Sequence, residues 1–220
     1  MSSSQRKTVI NLIEKQDKDR TLIENWRPIS LINVDAKIIS KVIAIRVKIV
    51  LPNIIHHNKT GYVIDRYIGE TVRSIFDIME FTDTENIPGI LIFIAFKKAF
   101  DTVEWHYLFD CLRAFNFGPV LINWVKTFYG NIESCVINNG LTSDYFTLAR
   151  GVRQGDPLSP YLFLLVIEAL SISIRKNIEI EGIKIGNNET KVLQYADDTT
   201  AVLSDSDSAN ALHISATRSF

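Results

Sequence analysis

The chain has 220 residues, 46% of them hydrophobic and 10% aromatic, enough to close a core in one ordinary domain or in two small lobes and too apolar for a disordered chain. The formal net charge is −1, which excludes a uniformly basic nucleic-acid-binding protein. It still leaves room for a local basic face, because Arg6, Lys7, Lys15, Lys18, Arg20, Arg27, Lys37, Lys41, Arg46 and Lys48 gather early and acidic residues gather from Asp77 to Glu85.

In chain order, Thr8 to Ile13 is a short β-branched run followed by a charged turn from Lys15 to Arg20, which predicts one arm of a hairpin. From Asp35 to Leu51 the apolar residues Ile38, Ile39, Val42, Ile43, Ile45, Val47, Val50 and Leu51 recur at helical spacing, with Asp35 as the expected N-cap and Pro52 as the expected stop. A second helix is predicted over 69–81, and Pro88-Gly89 breaks the chain before the run Ile90 to Phe96. That run is apolar at every position and so predicts a strand covered on both faces, leaving the core at Lys97 and Lys98. A helix is expected over 102–115. Ile132 to Ile137 and Tyr145 to Leu148 flank Asn138-Asn139-Gly140 as a hairpin, since Asn-Gly supplies the positive φ of a tight turn.

Gly151 to Pro160 leads into a long apolar helix over 161–176, with Ser159 as the expected cap and Pro160 at its first position. The segments 179–185 and 191–203 read as strands around Gly186-Asn187-Asn188, and the tail from Ser204 as the start of a helix. The longest apolar stretches, 89–96 and 161–174, are too short or are interrupted by Glu168, so no bilayer span is expected. Met1 to Lys7 precedes no secretory apolar segment, which leaves an intracellular location, nuclear or cytoplasmic. Cys111 and Cys135 lack ligand spacing and read as reduced packing residues, so zinc is not implied. The mixture of strands and helices is α+β and not a regular βαβ series.

Three segments carry chemistry. Tyr195-Ala196-Asp197-Asp198 sets two adjacent carboxylates between apolar strands, either as a solvated turn or as hard oxygen ligands held rigidly for Mg²⁺. In Arg153-Gln154-Gly155-Asp156-Pro157-Leu158-Ser159-Pro160, a side-chain amide stands beside a residue without Cβ, where a flat ligand can approach the backbone. Asn25-Trp26-Arg27-Pro28-Ile29-Ser30 offers an arginine, the residue suited to clamping a triphosphate.

Together these motifs, in this order from about Thr8 to Asp205, resemble the reverse transcriptases of non-LTR retrotransposons. Asn25 to Lys37 is similar to the family's fingers motif, and Thr60-Gly61-Tyr62 with Arg66 to the next one. Phe93-Ile94-Ala95-Phe96-Lys97-Lys98-Ala99-Phe100-Asp101 resembles the first palm motif, Gly151 to Pro160 the nucleotide-binding motif and Tyr195 to Asp198 the catalytic hairpin.

The resemblance implies a right-hand polymerase with fingers over 1–88 and a palm over 89–220, the fingers returning at about 118–158. The thumb and the primer-gripping segment are expected to be missing beyond Phe220. It implies an RNA template, a DNA primer and deoxynucleoside triphosphates as partners, and two Mg²⁺ ions about 3.5 to 4 Å apart as cofactor. Asp197 would bind metal and Asp198 assist; Arg27 and Lys15 would hold the triphosphate; Gln154 and Gly155 would line the nucleotide pocket; Phe100 would lie under the sugar.

The departure is Ala95, which stands where the family carries its first catalytic aspartate. A methyl group cannot ligate Mg²⁺, and Asp101, six residues on, is not expected to replace it. Three readings follow from the resemblance: an impaired reverse transcriptase fragment, which is preferred; an active two-metal polymerase; and a non-catalytic remnant that binds nucleic acid.

Overall fold

The computed structural model describes residues 1–219. The chain packs as two units, Met1–Val47 with Lys98–Phe163, and Lys48–Lys97 with Leu164–Phe220.

The first unit is built on a sheet. Strand β1 (Lys7–Glu14) pairs antiparallel with β2 (Trp26–Ile32), so the expected hairpin arm forms, closed by a connection that includes a 3-10 turn at Ile23–Asn25. A short helix α1 (Ser3–Arg6), capped by the Ser2 hydroxyl on the Gln5 amide, precedes it. On its other edge β1 runs parallel to β4 (Glu133–Asn138), a pairing between segments over a hundred residues apart that the Thr8 and Ser134 hydroxyls tie together at 3.0 Å in the interior. Strand β4 turns back through Asn139-Gly140, both at positive φ, into β5 (Leu141–Thr142), and β6 (Phe146–Thr147) pairs with β4 lower down. The Asn-Gly turn is therefore a two-residue hairpin of the primed kind.

The helix predicted over 102–115 is broken. A single turn α4 (Ala99–Thr102) is followed by α5 (Trp105–Ala114), and the Trp105 indole donates to the Gly151 carbonyl at 2.9 Å. Next comes α6 (Pro119–Tyr129), which the sequence reading did not anticipate, although Pro119 stands at its first turn where its missing amide costs nothing. Leu108, Leu112, Val125, Phe128 and Tyr129 from these helices are buried, as are both cysteines, which are free thiols.

Helix α2 (Val34–Ile54) differs from expectation in three ways. Its cap is Asn33, whose side chain accepts from the Asp35 amide at 2.9 Å, not Asp35 itself. It passes through Pro52 to Ile54, because Arg66 gathers the carbonyls that the helix end leaves open: Pro52, Ile55, His56 and Lys59 all accept from its guanidinium. Only Ala36, Ser40, Ile43, Ala44, Val47 and Leu51 form the buried face, so that Ile38, Ile39, Val42, Ile45 and Val50 lie outside it. Apolar residues recur on more than one side of this helix, and periodicity alone does not say which side is covered.

The second unit holds α3 (Ile68–Thr84), β3 (Ile90–Ile94), α7 (Ser159–Lys176) from Leu164 onward, the hairpin β7 (Ile183–Ile185) and β8 (Asn188–Thr190), strands β9 (Val192–Tyr195) and β10 (Asp198–Leu203), and α8 (Ser206–Ser219). Its antiparallel sheet has the order β3-β10-β9. Leu91, Leu193 and Val202 share one face and pack with Ile78 of α3 and Ile183 of β7, while Gln194 on the other face meets Ser171 of α7. Strand β3 was expected to be buried on both faces. It is an edge strand, half-buried, with Phe93 72% exposed, because β10 takes the central position and receives the double cover. Among the described residues no helix is long and apolar enough to cross a membrane.

Candidate active site

In the second unit the pairs Tyr195–Asp198 and Gln194–Thr199 close β9 on β10 through a two-residue turn, Ala196-Asp197. Ala196 sits at φ 53°, the conformation that such turns demand, and is buried, whereas Asp197 is half-buried and Asp198 exposed. The pairing of β10 with β3 runs from Leu203–Ile90 to Thr199–Ile94; one step further along the same register, Ala95 is level with Asp198. Ala95 thus follows β3 at the end of the sheet where the Ala196-Asp197 turn stands. Ala95 is itself exposed there.

The hairpin is fastened from two sides. The Gln194 side chain, buried, accepts from the Ser171 hydroxyl and donates to Thr199 Oγ1 at 2.9 Å. Its backbone is held at both ends by the loop before α3: Gln194 N–H donates to the Asn58 carbonyl at 2.9 Å and the Thr60 N–H to the Gln194 carbonyl at 3.0 Å. Gly61 then lies flat against the turn, where a Cβ would stand 2.3 Å from the Ala196 nitrogen. Tyr62 follows at φ 60°, and burial and the nearby Asp197 charge both raise its phenol above the ordinary value.

Beneath the same loop Lys59 and Glu168 form an ion pair at 3.4 Å, each side chain 1% exposed, and Arg175 also binds Glu168. Burial pushes the Lys59 ammonium down to about 7, against the opposing pull of Glu168. His56 is lowered to about 4, by burial first and then by the Arg175 charge. The Glu168 that interrupted an apolar run in the sequence is thus a buried charge with partners; a lone acid in such a run signals that a cation must reach it.

The remaining predicted residues belong to the first unit. Arg27 is exposed on β2, paired with Ile13. Lys15 does not project freely, since its ammonium donates to the Glu24 carbonyl at 3.0 Å. The Gln154-Gly155 loop packs on β2: the Ser30 amide donates to the Gln154 carbonyl at 2.8 Å, and Gly155, at φ 102°, leaves only 2.8 Å between the place of a Cβ and the Ser30 carbonyl. Gly155 is required by the backbone itself. Phe100 stacks on Phe163 with ring centroids 4.6 Å apart. Asp101 lies on α4, its backbone against Gly151, and burial raises its carboxyl pKa.

One organising residue escaped the sequence reading. Asp156 accepts from the Leu158 amide at 3.1 Å, from the Ser40 hydroxyl of α2 and from Arg153 at 3.1 Å, and all three side chains are buried. It, not Ser159, holds the start of α7; Ser159 is already helical and its hydroxyl is 3.3 Å from that of Tyr129. The signal was an acidic residue three positions after an arginine at a helix start.

A sequence profile for the reverse transcriptase (RNA-dependent DNA polymerase) family matches residues 13–220. The chain belongs to the reverse transcriptase family. It is 37% identical over 201 residues to the transposon TX1 uncharacterized 149 kDa protein of Xenopus laevis, covering 91% of this chain and 15% of that one. Over 102 residues, 46% of this chain and 9% of the relative, it is 38% identical to the Pol polyprotein of the type-2 retrotransposable element R2DM of Drosophila melanogaster. This reverse transcriptase domain therefore resembles non-LTR retrotransposon proteins and spans a small fraction of their length. Apo telomerase of Candida tropicalis shares its fold, with a TM-score of 0.66 at 13% identity over 97% of this chain and 41% of the telomerase chain.

Reverse transcriptases use Mg²⁺, and a pair of such ions needs carboxylates enough to bridge them. Asp197 and Asp198 stand at this hairpin, and Ala95 carries a methyl group. Among the described residues no group of three or more His, Cys, Asp or Glu side chains is arranged to hold a metal ion.

Proposed function

We propose that this chain is a fingers-and-palm fragment of a non-LTR retrotransposon reverse transcriptase in which templated DNA synthesis is severely impaired. The observation that carries the reading is the position of Ala95, level with Asp198 beside the Ala196-Asp197 turn. The palm assignment rests on the β3-β10-β9 sheet flanked by α3 and α7. The return of the fingers at about 118–158 rests on β4, which pairs with β1.

In this reading Asp197 and Asp198 are the surviving metal-binding carboxylates, and Arg27, with Lys15 if it releases Glu24, meets the triphosphate. Gln154 and Gly155 line the nucleotide pocket and Phe100 supports the sugar. The partners are an RNA template, a DNA primer and deoxynucleoside triphosphates, as the family resemblance implies. Outer-shell partners of metal ligands alone are worth about 10 to 100-fold, so losing a directly ligating carboxylate costs at least about 100-fold.

Primer extension on an RNA template tests this with two forms of the chain, each extended through a thumb. The Ala95→Asp form should incorporate nucleotides in a Mg²⁺-dependent manner at least about 100-fold faster than the alanine form. Equal incorporation by the two forms, or none by the aspartate form, overturns the proposal.

A further inference from the structure

Two helices expose apolar stripes with the same spacing. On α2, Val34, Ile38, Val42 and Ile45 follow one another at intervals of four, four and three, and on α3, Ile68, Val72, Phe76 and Met79 do the same. All eight are exposed, from 44% at Val72 to 69% at Val34. At about 1.5 Å rise per residue each stripe is about 17 Å long, so the two match in length and in the pitch of their side chains.

Their borders are opposite in charge. Lys37, Lys41 and Arg46, all exposed, flank the α2 stripe and outnumber the one acid beside it, Asp35, while Asp77, Glu80 and Asp83, also exposed, flank the α3 stripe. The one cation within the α3 border, Arg73, is engaged by Asp77 at 2.7 Å. Beside Met79 and Glu80 a hollow of about 740 Å³, lined also by Asp83, Ile87 and Pro88, can admit an aliphatic side chain of a facing helix. Like-with-like pairing, α2 on α2 or α3 on α3, would oppose equal charges, which disfavours it as charged flanks do in paired helices.

We propose that α2 of one copy of this chain docks on α3 of a second copy, the Val34–Ile45 stripe packing on the Ile68–Met79 stripe with the lysine border against the acidic one. The contact is heterologous: each chain offers both halves and uses different surfaces for giving and receiving. It is independent of catalysis.

Sedimentation equilibrium of the whole chain in low salt tests it. The mass should rise above 25.0 kDa with concentration, and rise less in high salt. Val42→Glu and Phe76→Glu should each weaken association by about tenfold or more, since each buries a charge in the seam. The decisive pair is Lys37→Glu with Lys41→Glu in one protein, and Glu80→Lys with Asp83→Lys in another. Each alone should associate weakly and their mixture should regain association, because reversed α2 then meets reversed α3. These exposed positions should leave the circular-dichroism melt unchanged. A single 25.0 kDa species up to about 100 µM, association insensitive to both stripe variants, as a segment elsewhere would give, or reversed variants that do not rescue each other overturns the proposal.

Discussion

Gly61 shows how tightly the candidate hairpin is held at the scale of one residue. Its φ is ordinary, so alanine there carries no backbone strain, yet the added Cβ would lie 2.3 Å from the Ala196 nitrogen, against backbone that the turn and the pairing of β9 with β10 fix in place. Overpacking of this kind costs about 1 to 3 kcal/mol, so Gly61→Ala should lower the unfolding free energy from urea titration by that amount; an unchanged value would show that the loop yields freely. The titrating groups below the loop make a second measurable point. His56 and Lys59 are both lowered cations, so the unfolded chain binds more protons than the folded one between about 4 and 6.5 for His56 and between about 7 and 10.5 for Lys59. Stability rises with pH through each window and falls as acid is added. Urea midpoints measured from pH 4 to 6.5 should climb, and His56→Gln should flatten that climb. The Tyr195–Asp198 turn was plain in the sequence, because two acids set between apolar strands are a local pattern. The sequence could not show that Lys59 pairs with Glu168, since a salt bridge across more than a hundred residues exists only once the chain has folded.

At the scale of elements, two helix ends are held by charged side chains that lie outside the helix they hold. Arg66 collects four carbonyls at the end of α2, and Asp156 holds the start of α7 through one amide, one hydroxyl and one guanidinium. Both lie in segments that resemble motifs of the family, and in both the arginine or the acid is spent on the backbone or on a buried partner. Breaking a buried ion pair by removing one member costs about 3 to 5 kcal/mol, so Asp156→Ala should unfold at much lower denaturant than wild type. Asp156→Asn, which keeps an acceptor for Leu158 and Ser40, should recover only part of that loss. The helices α2, α3 and α7 and the strands of the hairpin were legible from spacing and from Asn, Gly and Pro. The break at Val103 and the helix over 119–129 were not, because neither has a repeating pattern long enough to outweigh its neighbours; tertiary packing around Trp105 and Tyr129 decides them.

For the molecule as a whole, the charge that nearly cancels in the total does not cancel in its parts. The unit formed by residues 1–47 and 98–163 has fourteen basic against eleven acidic residues, a formal +3, and the other has ten against fourteen, a formal −4. A nucleic acid drawn by phosphate charge should therefore engage the first unit, where Arg27 stands exposed on β2, and be repelled by the second, with its acidic excess. With so small a positive excess, few phosphates can be neutralised, and each contact contributes about 0.9 to the slope of log K against log salt on a duplex. Binding of an RNA–DNA duplex, followed by fluorescence anisotropy across a salt series, should accordingly be weak with a shallow slope. Arg27→Ala should lower that slope by about one, whereas Arg73→Ala, on the acidic unit, should leave it unchanged. Equal effects from the two substitutions would mean that the charge separation between the units does not direct binding.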